Sequence, residues 1–309
     1  MNIKKLSLIV LFFTGVLNAT TDPVKDLVEY VNTLQGTNSK FELTRGNTYP
    51  TIALPFGMNT WSPQTARNGD GWKYQYFKDT IRGFQQAHQC SSWTNDYAVF
   101  SLMPVSGQLK LSDLERGAKF NHDNEIAKPH YYKVDFDNGI TTEVSPSLRG
   151  SHMRFSFPKN EKAYIVIDGY TGASGIKIDR KNRQITGFVR NGRGMDRVKG
   201  FKNYFVIQFD KSFQEAGIWE NRNGKTWENQ TSKEGEGIGA YIQFKDGQKV
   251  QAKIASSYVS LDQAQLNLKR ELGKDRNLEQ TKANAKAIWN KQLSKILVEG
   301  GTEAQMRTF

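Results

Sequence analysis

From about residue 50 to residue 258 the chain alternates apolar and polar positions with a period of two. The clearest runs are 131–136, 141–144, 152–157, 164–167, 204–209, 240–244 and 250–256, each short and rich in aromatic or β-branched residues. Turn residues bound them, as at Asp137-Asn138-Gly139 and Lys245-Asp246-Gly247. Successive side chains of a strand point to opposite faces, so each run buries one face. Many such runs at close spacing predict a large antiparallel β-sandwich or barrel. Alternation at 184–189 predicts one more hairpin, with a solvated face. No internal repeat or low-complexity tract interrupts the pattern.

After Tyr258 the period changes. Leu261, Ala264, Leu268 and Leu272 recur every three to four positions, predicting a helix from about residue 260 to 272. A second is expected from about 277 to 297, with Ala283, Ala287, Ile288 and Ile296 as its stripe and Asp275 or Asn277 as its cap. Glu299-Gly300-Gly301-Thr302 then reads as a linker into another helix. The sandwich therefore spans 24–258, a helical linker 259–298, and the start of a further helical domain 299–309. The expectation is a fragment of a longer chain.

The first 19 residues stand outside this architecture. Lys4 and Lys5, the apolar run 6–17 and Ala19 make a secretory signal peptide, too short to span a bilayer comfortably. The mature chain is then exported, without a membrane span. Its one cysteine, Cys90, allows no intrachain disulfide, which suits a bacterial periplasmic or extracellular protein. Net charge is +12, and nine Lys or Arg against two Asp fall between Lys177 and Lys202. That stripe invites a nucleic-acid reading. In an exported protein, next to a hairpin's polar face, it reads as solvated surface, and no nucleic acid is expected.

No Gly-x-Ser-x-Gly, His-Glu-x-x-His, phosphate-binding loop or cysteine pair is present, so no catalytic residue is assigned. What stands out is an aromatic and polar concentration at 46–104, including Trp61, Trp72, Tyr74, Phe77, His88, Trp93 and Tyr97, interleaved with Asp70, Asn95 and Asp96. Sugars present apolar C–H faces beside hydroxyl edges, so aromatic platforms flanked by Asp, Asn and His suit them. Phe84, Tyr97 and Phe100 read as core, whereas Trp72 and Trp93 sit in loop-like surroundings.

Five blocks in order carry a more specific likeness. They are Tyr30-Val31-Asn32-Thr33-Leu34-Gln35-Gly36-Thr37; Gly46-Asn47-Thr48-Tyr49-Pro50 with Leu54-Pro55-Phe56-Gly57-Met58; Gly83-Phe84 through His88 to Asn95-Asp96-Tyr97; Ser257-Tyr258-Val259-Ser260; and Val298-Glu299-Gly300-Gly301-Thr302. Together they resemble family-92 glycoside hydrolases, the calcium-dependent α-mannosidases. The family's glycine-rich loop is here His88-Gln89-Cys90-Ser91-Ser92-Trp93.

The resemblance implies a β-sandwich packed on an (α/α)6 barrel, which would follow Phe309, with the active site between them. It implies inverting hydrolysis, in which one carboxylic acid protonates the leaving oxygen and a carboxylate activates water. Those carboxylates and most calcium ligands are expected from the helical domain, leaving the fragment inactive alone. The partners implied are a mannose-containing glycan and that domain. By position in the matched loops, Trp72, His88, Trp93, Asn95 and Asp96 are expected to contact sugar. Two other readings remain at this stage: a free-standing glycan-binding module without catalysis, and a structural protein whose aromatic loops are buried.

Overall fold

The computed structural model describes residues 26–88, Trp93, 96–192 and 198–309. The leader (1–19), Cys90 and Asn95 lie outside the described residues.

In chain order the strands are β1 (Thr60–Gln64), β2 (Thr80–Ile81), β3 (Gly83–Ala87), β4 (Ser101–Ser106), β5 (Ala118–Lys128) and β6 (Tyr131–Phe136). Then come β7 (Thr141–Ser147), β8 (Gly150–Ser156), β9 (Ala163–Asp168), β10 (Ala173–Asp179), β11 (Gln184–Arg190) and β12 (Asn203–Phe209). The last five are β13 (Glu215–Glu220), β14 (Thr226–Glu228), β15 (Ser232–Glu236), β16 (Ile238–Phe244) and β17 (Lys249–Ser257). Helices α1 (Leu261–Leu272), α2 (Leu278–Leu293) and α3 (Glu303–Thr308) follow.

The strands form two sheets, ordered β1-β3-β4-β9-β16-β13-β14 and β15-β10-β11-β12-β17-β8-β7-β6-β5-β2, with antiparallel pairing throughout. This is the expected sandwich, and the seven clearest alternating runs each fall on a strand. The hairpin expected at 184–189 is β10–β11. Side chains of the two inner faces interdigitate: Phe100 stacks on Phe205 at 4.3 Å, and Trp61 meets Phe100 edge-on at 5.6 Å. Burying rings of this size supplies much of the driving force for closing the sandwich.

Helices α1 and α2 lie on the larger sheet. Ser260 caps α1, whose Ala264, Leu268 and Leu272 pack on Val206 and Ala255. Asn277 caps α2 in a reciprocal box with Gln280. α2 ends at Leu293, four residues before expected, and its stripe differs. Ala283 and Ala287 are exposed, as is Ile296 beyond its end, while Leu278, Thr281 and Ala285 are buried. The reason is that α2 meets a polar patch of the sheet, where Thr281 Oγ1 lies 3.2 Å from His152 Nδ1. Trp289 Nε1 donates to the Ala53 carbonyl (2.7 Å), fastening the helix to the segment before β1.

Candidate functional site

The aromatic concentration at 46–104 divides in two. Trp61, Tyr74 and Phe84 belong to the core, and so does Phe100. Trp72, Phe77 and Trp93 come to the surface, where Phe41 and Arg45 join them.

Backbone geometry at 41–47 builds this rim. Thr44 (φ 56°), Arg45 (47°), Gly46 (72°) and Asn47 (49°) are all in the left-handed region. That conformation costs about 1–2 kcal/mol per non-glycine residue. A Cβ at Gly46 would stand 1.7 Å from the Gly36 carbonyl oxygen, so only glycine fits. The Trp72 indole N–H holds the turn by donating to the Thr44 carbonyl (3.0 Å). Trp72 meets Trp93 edge-on at 5.2 Å and Phe41 at 6.1 Å, and the Arg45 guanidinium lies 5.9 Å from the Phe41 ring centre and 5.3 Å from that of Phe77. Trp93 is 59% exposed, Phe41 58% and Phe77 56%. Rings this open, gathered around one half-buried tryptophan, form a platform rather than a core.

His88 and Asp96 lie beneath the rim, not on it. The His88 side chain is 1% exposed, and Nδ1–H donates to the Tyr97 carbonyl (2.8 Å). The ring stacks on Tyr97 at 5.1 Å and meets Tyr258 at 5.5 Å. Asp96 is equally buried, with Lys73 Nζ 3.0 Å from Oδ2, and it accepts the backbone N–H of His88 (3.1 Å) and of Tyr97 (2.8 Å). Burial pushes this carboxyl up, but His88, the Lys73 ammonium and the Tyr97 N–H together hold it below its ordinary value. A carboxylate so neutralised ties His88 and Tyr97 to the segment that carries Trp72 and Lys73. The sequence contained no signal for Lys73 as its partner.

A cleft of about 710 Å³ adjoins the rim, lined by Gln64, Asp70, Gln85, Asp96, Arg190 and Glu236, among others. Asp70 belongs to both, since its Oδ1 accepts the Trp72 backbone N–H (2.9 Å). Carboxylates and amides around a concave space suit hydroxyl-bearing ligands. Trp72 and Trp93 do not line the cleft themselves. Among the described residues no three His, Cys, Asp or Glu side chains group as a metal site. The described side chains thus offer no carboxylate cluster of the kind that commonly holds a calcium ion.

A large antiparallel sandwich with helices appended, and an aromatic rim at its surface, is thus the class of molecule on view. Residues 30–257 match the glycosyl hydrolase family 92 N-terminal domain and 263–309 its catalytic domain. The chain belongs to glycosyl hydrolase family 92. A family GH92 inverting mannosidase from Bacteroides thetaiotaomicron VPI-5482 superposes with a TM-score of 0.87 at 41% identity, over 92% of this chain and 38% of that one. A family GH92 α-mannosidase from Bacteroides thetaiotaomicron, solved also with mannoimidazole, superposes at 0.77 and 26% identity, over 92% of this chain and 39% of that one. A secreted glycosidase of Arthroderma benhamiae, itself uncharacterised, is 22% identical over 92% of this chain and 40% of its own length. The chain thus spans about two-fifths of the length of these relatives. No helix among the described residues is long and apolar enough to cross a membrane.

Proposed function

We propose that this chain forms one wall of the substrate cleft of an exported glycoside hydrolase that cleaves α-mannosidic linkages in glycans with inversion. The observation that carries the reading is the edge-on pair of half-buried Trp72 and exposed Trp93, fastened to a left-handed turn on one side and to the Asp70 carboxylate of a polar cleft on the other. In this reading Trp72 and Trp93 stack on a sugar's C–H face. Asn95 and the cleft's carboxylates and amides take its hydroxyls, and His88 and Asp96 hold Tyr97 against the segment that carries Trp72. The acid and base that inversion requires, and the calcium ligands, come from a helical domain outside these residues, so the chain alone binds without hydrolysing.

Calorimetric titration of the chain with α-linked mannobioses tests this. Binding is expected at millimolar ligand, weakened about tenfold or more by Trp72→Ala, with no reducing sugar released. Binding unaltered by Trp72→Ala and Trp93→Ala together would overturn the assignment. Release of mannose by the chain alone would overturn the division of labour.

A further inference from the structure

On the other side of the segment that carries Trp72 lies a polar group built into the sandwich. The register of β5 against β6 shifts between Phe120 and Glu125, and His122 sits in that irregularity. In a regular strand residues 122 and 125 would face opposite sides; the shift brings them together, with Nδ1 of His122 2.8 Å from Glu125 Oε2. The Glu125 side chain is fully buried. Tyr74 and Tyr132 donate their hydroxyls to it, at 2.9 Å and 2.5 Å. Among the described residues no Lys or Arg pairs with it, and His122 is its one basic neighbour.

The other ring nitrogen, Nε2, lies 2.6 Å from the carbonyl oxygen of Tyr76. A carbonyl only accepts, so Nε2 carries a proton. An ionised carboxylate also only accepts, so Nδ1 must carry one too. The Tyr76 ring lies flat on the imidazole at 3.8 Å and 4°, an arrangement that favours a cationic ring. Phe120 closes the far edge at 5.1 Å. The titratable groups facing the pair are Tyr74 and Tyr76 from the segment after Trp72, and Tyr132 from β6. Tyr74 is pushed up by burial and then by Glu125, so both tyrosines that donate to the carboxylate stay neutral donors.

We propose that His122 is a positioning residue: as an imidazolium it ties Glu125 of β5 to the Tyr76 carbonyl and so orders the segment 72–78, which carries Trp72 and Phe77 to the rim and Lys73 to Asp96 beneath it. Removing one proton from the ring leaves a lone pair facing an acceptor. The contact to Glu125 or to Tyr76 is then lost, and the rim loosens as pH rises. The link to sugar rests on the function proposed above; the protonation and the ordering do not.

The experiment uses the whole chain, labelled with ¹⁵N-histidine and ¹⁵N-tryptophan, without ligand. Both His122 ring nitrogens are expected to bear protons while they face the Glu125 carboxylate and the Tyr76 carbonyl, and the Trp72 indole N–H to be protected through its bond to Thr44. Raising the pH until one His122 proton is seen to be lost should quicken Trp72 indole exchange, corrected for intrinsic pH dependence, about tenfold or more, the effect of losing one hydrogen bond to a charged group. Glu125→Gln offers an amide that pairs with a neutral ring, so the fold is kept while the corrected pH dependence disappears. Finding no pH at which the folded chain carries protons on both Nδ1 and Nε2 would overturn the proposal, because the shared proton would then sit on Glu125. The same pH response in Glu125→Gln as in the parent would overturn it as well. Mannobiose binding that fails while these signals behave as stated would discard the sugar reading alone.

Discussion

The Lys73–Asp96 pair shows how single residues set the site. Both side chains are almost fully buried, at 3.0 Å from one another. Two charges in such a place gain little net stability together, but removing one strands the other away from water. Asp96→Ala is therefore expected to destabilise the chain by about 3–5 kcal/mol, measured as a lowered urea midpoint. Lys73→Met combined with Asp96→Leu should cost clearly less than Asp96→Ala alone. If the single change is the milder, the carboxylate is not held in a buried pair. The place of His88 and Asp96 in a family-like loop beside Trp72 was legible. Their depth was not, because burial of a polar residue depends on a partner, and Lys73 carries no mark of that role in the local pattern. Phe41 and Arg45 were missed for a related reason: they reach the rim through a run of left-handed residues that no hydrophobic periodicity reports.

At the scale of elements, strands were read well because a half-buried strand records its two faces directly in alternation. The break in β5 was hidden, since a register shift follows from pairing with β6 and not from composition. α2 was placed to within one residue at its capped start and misread along its face, because a helix resting on polar groups does not need an apolar stripe. Those polar groups make its attachment sensitive to acid. His152, beneath α2, and His130, in the turn before β6, are both almost fully buried. Burial, helped by Lys253 at His152 and by Lys286 at His130, lowers each from 6.5 to about 4. The unfolded chain takes up these protons as pH falls through about 6.5, whereas the folded chain resists until about pH 4. Stability is therefore complete above about 6.5 and declines between 6.5 and 4, by on the order of 2–3 kcal/mol per histidine. Urea midpoints across that range should fall, and His152→Gln should flatten the slope; an equal slope in the variant would remove His152 from the account. Asn277→Ala, which deletes the cap of the same helix, is expected to cost about 1 kcal/mol at all pH values.

Across the whole molecule, the sandwich closes its own core between two sheets, yet large apolar groups stay exposed at the rim, at Phe56 and Val259, and along the C-terminal residues Ile296, Leu297 and Phe309. A molecule arranged this way draws its stability from packing, and among the described residues no three His, Cys, Asp or Glu side chains group as a metal site. That has a measurable consequence. A calcium ion bound at a hundredfold excess over its dissociation constant would add about 2.7 kcal/mol to folding, which for a chain of this size raises the melting temperature by several degrees. The site geometry predicts no such rise: thermal unfolding with millimolar calcium and with excess chelator should give the same midpoint. A reproducible upward shift with calcium would mean that ligands converge on folding in a way these side chains do not, and the division between a sugar-facing wall here and cation chemistry elsewhere would have to be abandoned. An unchanged midpoint, with mannobiose binding equally indifferent to chelator, assigns the rim's affinity to its rings and hydrogen bonds alone.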